Sequence, residues 1–119
     1  MFVKKLKDCQ EFIAGDGCRL REILHPDKQK LDLGYSLAYA EVKRGQVTKL
    51  HALSSSEVYY IIAGNGKMYI DDEVADVSMG DTIYIPSNSQ QSIENIGESV
   101  LSFICIVDPA WRIEDESVF

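Results

Sequence analysis

Hydrophobic and polar positions alternate along most of this chain with a period of two, the spacing of a strand that buries one face. Over residues 18–24, Leu20 falls on one face with either Cys18 or Glu22, and Arg19, Arg21 and Ile23 fall on the other. His25-Pro26-Asp27 ends that strand, because proline cannot donate to a ladder. Residues 31–42 read as the next strand, followed by a turn at Lys43-Arg44-Gly45. Residues 57–62 and 67–70 form two further strands, and Gly64-Asn65-Gly66 between them predicts a hairpin, since Asn and Gly tolerate positive φ. Asp71-Asp72 predicts another turn and residues 73–77 a short strand. Strands over 81–85 and 91–95 flank a turn at Pro86-Ser87-Asn88. The most continuous apolar run, 100–107, predicts a buried strand. Residues 1–16 are mixed, with Phe2, Val3, Leu6, Phe12 and Ile13 scattered among charges. The only helical candidate is a short turn over 109–114, with Asp108 as cap and Pro109 at its start.

Many short strands with turn chemistry between them point to an all-β sandwich or barrel. At 119 residues and 45% hydrophobic content, the chain reads as one domain, 1–119, able to bury a core without disulfides. Its net charge of −7 argues against nucleic acid as a partner, since phosphate binding needs clustered Lys and Arg. No apolar run approaches the roughly 20 residues that span a bilayer, so no membrane partner is expected. Lys4, Lys5, Lys7 and Asp8 interrupt any signal-peptide core. Three cysteines, Cys9, Cys18 and Cys105, include no CxxC pair. A cytoplasmic, reduced protein is the expectation.

Two glycine-led runs carry the candidate chemistry. The first has Gly45, His51, Leu53, Glu57 and Gly64; the second has Gly80, Pro86, Asn88, Gln91 and Asn95. Their spacings resemble the two conserved motifs of the cupin superfamily, over core segments 45–64 and 80–95. The resemblance implies a double-stranded β-helix, or jelly-roll barrel, here with a short C-terminal turn or helix. Many cupins hold a divalent metal through two histidines and a glutamate of the first motif and a histidine of the second. On that pattern His51 and Glu57 stand at ligand positions, whereas Leu53 and Gln91 replace the other two histidines. Asn88 replaces a glycine in a turn that Asn also tolerates. The resemblance therefore implies a metal site of His51, Glu57 and Gln91, for which Zn, Mn, Fe or Ni are all compatible. The alternative is a polar cluster of the same residues that hydrogen-bonds itself.

Spacing supports an interior position for these side chains. His51 and Leu53 point the same way, and Glu57, Tyr59 and Ile61 share a face of the next strand. An interior Glu57 needs a metal, a cation or a hydrogen-bond network. Tyr59 and Cys105 are further candidates for the ligand pocket, with Leu53, Ile83, Ile85 and Ile93 as its apolar lining. Each also reads as ordinary core. His25 reads as a strand-end or interface residue. Arg19 and Arg21 serve an anionic ligand, a surface or a dimer face. Trp111 and Arg112 look like a docking element that covers a barrel end or packs on a partner subunit.

Three functions remain open from the sequence: a metal-dependent enzyme acting on a small organic molecule, a metal-free small-molecule-binding barrel, and a dimerising scaffold. Small cupins are often likened to mannose-6-phosphate isomerases, but no Lys or Arg falls on the inferred inner face of either motif to grip a sugar phosphate. A homodimer is expected by analogy with cupins that pair through edge strands.

Overall fold

The computed structural model describes residues 1–119 as an antiparallel β-barrel of two sheets. Eleven strands follow in chain order: β1 (Glu11–Ile13), β2 (Arg19–Leu24), β3 (Ser36–Val42), β4 (His51–Leu53), β5 (Ser56–Ala63), β6 (Asn65–Ile70), β7 (Glu73–Ser78), β8 (Thr82–Ile85), β9 (Gln91–Asn95), β10 (Leu101–Asp108) and β11 (Glu116–Val118). One sheet runs β1-β2-β3-β10-β5-β8 and the other β11-β4-β9-β6-β7. No helix is long and apolar enough to cross a membrane.

The period-two pattern sorts inside from outside as expected. Along β5, Glu57, Tyr59 and Ile61 are buried, and along β10 Leu101, Phe103, Cys105 and Val107 are buried. Register brings these inner faces together: Glu57 lies opposite Ile85 and Val107, Tyr59 opposite Ile83 and Cys105, and Ile61 opposite Phe103. On the second sheet Gln91 pairs with His51 on one side and Ile70 on the other. Glu57 and Gln91 therefore belong to opposite sheets and meet only because the barrel closes.

Three local expectations are corrected. Gly64-Asn65-Gly66 is not a hairpin: β5 and β6 belong to different sheets, and the chain turns a corner there. Gly64 sits at φ 93°, and a Cβ on it would meet the Val100 carbonyl oxygen at 2.7 Å, so the corner needs glycine to cross β10 closely. The tight hairpin is the next one, β6–β7, with Asp71 at φ 53°. The strand expected over 31–42 starts only at Ser36, because Leu31 and Leu33 donate to carbonyls two residues back instead of to a ladder. After Asp108 the chain does not enter a helix at Pro109. Ser55 donates to the Pro109 carbonyl, Ala110 donates to Gly34, and Trp111 donates to Ser36 Oγ, so these groups bond neighbouring loops. A single 3₁₀ turn, Ile113–Asp115, follows and leads into β11. Residues 1–16, which show no pattern in sequence, contain a 3₁₀ turn at Leu6–Asp8 and edge strand β1.

Arg19 and Arg21 hold this N-terminal arm. Both pair with Glu11 at 3.7 Å, and Arg21 also donates to the Leu6 and Cys9 carbonyls. His25 is buried, with Nε2 2.7 Å from the Trp111 carbonyl, and ties the chain after β2 to the segment before β11.

Candidate functional site

One end of the barrel interior is filled and the other is open. Ile61, Met68, Ile83, Ile85, Ile93 and Leu101 pack into the hydrophobic core. Ile83, Ile85 and Ile93 lie in that core rather than on the cavity wall. The cavity, about 160 Å³, is lined by His51, Leu53, Glu57, Tyr59, Phe103 and Cys105 among others. It continues past Phe12, Ile13, Glu22 and Trp111 toward β1 and the C-terminal segment.

A hydrogen-bonded chain crosses the interior from sheet to sheet. The Tyr59 hydroxyl donates to Gln91 Oε1 at 3.0 Å, and Gln91 Nε2 donates to Glu57 Oε1 at 2.9 Å. Gln91 is only 1% exposed, so these two bonds satisfy an amide that would otherwise be costly to bury. The other Glu57 oxygen receives no hydrogen bond from the protein, although Glu57 lines the cavity and is 7% exposed. Burial pushes the Glu57 carboxyl up to about 8; the Gln91 donor works against this shift, while the nearby Asp16 and Glu116 charges add to it. Near neutral pH this side chain is therefore mostly a neutral acid that can donate a proton.

His51 stands beside this chain. Its Nδ1 is 2.8 Å from the Lys49 carbonyl, an acceptor only, so Nδ1 carries the hydrogen. Nε2 is then the nitrogen left for other partners, 3.7 Å from Asp16 Oδ2. Asp16 is a site residue that sequence reasoning missed. It sits at the tip between β1 and β2, where its Oδ1 accepts from the Cys18 amide at 3.0 Å and Gly17 adopts φ 93°. The triplet Gly15-Asp16-Gly17 was the available signal, since Asp-Gly marks tight hairpins. Glu116, also missed, lines the cavity from β11, and a Cβ on Gly15 would lie 2.9 Å from its Oε2. Burial raises the Glu116 carboxyl, an effect that the His51 charge opposes and the Asp16 charge reinforces. Burial likewise raises the Cys18 and Cys105 thiols, leaving both as unreactive neutral groups.

His51, Glu57 and Gln91 thus come together, but in this arrangement they do not fit a divalent ion. Gln91 Oε1 already accepts from Tyr59, and its Nε2 faces Glu57. Leu53, 4% exposed, adds an apolar wall where a fourth donor would be needed. No cluster of three His, Cys, Asp or Glu side chains has metal-binding geometry.

A sequence model of the cupin domain matches residues 38–107. The chain belongs to the cupin family. An uncharacterized protein of Methanocaldococcus jannaschii is 43% identical over 108 residues, covering 90% of this chain and 86% of that protein. Among solved structures, a predicted oxalate decarboxylase from Thermotoga maritima superposes with a TM-score of 0.79 at 19% identity, covering 91% of this cupin and 99% of that chain. A nucleoside dehydratase from Streptomyces gives 0.81 at 21% identity, covering 100% and 91%. Variants of that dehydratase have been solved with uridine. At these identities the structural likeness establishes the shared barrel.

Proposed function

We propose that this cupin binds a small organic molecule in the open end of its barrel and works without a resident metal. The observation that carries the reading is Gln91, whose amide is held on both sides by Tyr59 and Glu57 while one Glu57 oxygen is left for a ligand. A neutral Glu57 can donate a proton, and His51 Nε2, beside Asp16, can accept one. A ligand bound between them would meet an acid and a base, the minimum for proton transfer or elimination. A Streptomyces neighbour with this fold is a nucleoside dehydratase, which fits a barrel that handles small polar molecules.

The second reading keeps His51, Glu57 and Gln91 as ligands of Zn, Mn, Fe or Ni, and requires the Gln91 oxygen to leave Tyr59. It is favoured by His51 Nε2 and one Glu57 oxygen, both without a protein hydrogen bond. Calorimetric titration of tag-free protein with these ions separates the two. We expect no stoichiometric binding. One equivalent bound tightly, and lost in both Glu57→Ala and Gln91→Ala, would overturn the metal-free reading.

Two coarser properties accompany this reading. Phe12, Ile13, Val118 and Phe119 leave apolar surface exposed at or beside edge strands β1 and β11, which supports a homodimer. Light scattering should give twice the monomer mass, and a monomer at high micromolar concentration would sink the idea. Three free cysteines suit a reducing, cytoplasmic setting, and fractionation of cells expressing the native gene checks it.

A further inference from the structure

We propose that the ligand is a small organic cation, a ring-sized molecule carrying a protonated amine. This deepens the small-molecule reading above and rests on it. The cavity wall carries four carboxyl groups, Asp16, Glu22, Glu57 and Glu116, against one lysine and one histidine. Glu22 is ion-paired with Lys28, and that lysine side chain is 66% exposed, so its charge sits at the rim. Arg19 and Arg21 lie on the opposite face of β2 from Leu20 and bind Glu11 and the N-terminal arm. They bring no positive charge inside. Asp16 and Glu116 therefore bring negative charge to the cavity with only His51 to balance it, and Glu57 adds a neutral carboxyl.

A carboxylate or phosphate entering this space would meet three carboxyl groups and no free guanidinium or ammonium. Such an anion would lose its hydration without gaining a partner. An ammonium group finds the reverse. Asp16 is 7% exposed, and its Oδ2 has no closer cation than His51 Nε2 at 3.7 Å. Glu57, equally buried, presents an oxygen without a protein donor. Four aromatic side chains share the remaining wall with aliphatic and sulfur-bearing ones such as Leu20, Leu53, Val107 and Cys105. Tyr59 and Phe103 pack at 4.4 Å between ring centroids, and Phe12 and Trp111 complete the mouth. Aromatic faces attract a desolvated cation as well as covering its apolar body. The volume of about 160 Å³ is close to that of cavities of about 150 Å³ that accept benzene. Carboxyl groups, aromatic side chains and room for one ring in the same cavity together describe a site for an arylalkyl or cyclic amine.

Benzylamine, benzyl alcohol and benzoate test this as matched probes, titrated into tag-free full-length protein at neutral pH by ligand-observed NMR. Benzylamine should bind about tenfold tighter than benzyl alcohol, with benzoate weaker still. In the Asp16→Asn/Glu116→Gln double variant, the amine should fall to the level of the alcohol. Should that variant not fold, Glu116→Gln alone should weaken benzylamine about threefold and leave benzyl alcohol unchanged. Benzoate or benzyl alcohol binding as tightly as benzylamine would overturn the cationic ligand and leave the small-molecule reading intact. Failure of all three probes to bind would overturn both.

Discussion

The two ends of this barrel are made by the same strands and obey the same alternation, yet one is packed solid and the other is left open. On β5, Ile61 packs into the filled core, whereas Glu57, four residues earlier on the same face, lines a cavity. On β9, Ile93 joins the core, whereas Gln91, two residues before it, reaches across to Glu57 and Tyr59. The difference teaches that a strand's inner face is not one environment. Apolar side chains at one end hold the sheets together by close packing. At the other end a polar chain links the same sheets while leaving room for a ligand.

Substitutions in the two ends should separate these roles. Ile93→Ala, at a position 1% exposed in the filled end, should cost about 2–5 kcal/mol through lost burial and the void it leaves. Urea unfolding measures this, and probe binding at the open end should persist. A cost below 1 kcal/mol would mean the filled end is not the main source of stability. At the polar link, Gln91→Ala leaves Glu57 and Tyr59 without their buried partner and should cost about 1–3 kcal/mol. An unchanged or higher midpoint would show that water replaces the amide without loss.

The smallest effect is a pH slope. A carboxyl raised to about 8 by burial stays protonated in the folded protein where the unfolded chain has ionised, its ordinary value being 4.5. The unfolded state then binds fewer protons, so stability falls as pH rises from about 5 toward 8, by at most about 1.4 kcal/mol per pH unit from this group. Glu57→Gln should flatten the slope over that window. A slope that survives the substitution would assign it to other groups, with the raised Glu116 as the first to test.

Much of the barrel was legible in the sequence because alternation is local. The inner positions of β5 and β10 follow from period two alone, and Asn88 adopts the expected positive φ of 68°. The motif spacing likewise marked His51, Glu57 and Gln91 as neighbours, and they lie at one site. The hairpin at Gly64-Asn65-Gly66 was misread because positive φ marks a turn without saying whether the strands beyond it pair. Edge strands β1 and β11 were missed because three-residue strands carry too little pattern to detect.

The sequence by itself determined the strands, most of their inner faces and where the polar residues of the barrel would collect, since each depends on neighbours a few residues away. Only the tertiary structure decided what those residues do together. Asp16 and Glu116, a hundred positions apart, both reach the cavity because the first and last strands flank its mouth. Gln91 becomes a hydrogen-bond link because Glu57 and Tyr59 approach it from the opposite sheet. Ile83, Ile85 and Ile93 become core because the barrel closes over them, with Ile83 and Ile85 on β8 opposite Tyr59 and Glu57. Chain-local periodicity sets which way a side chain points, and closure of the barrel sets what it meets there.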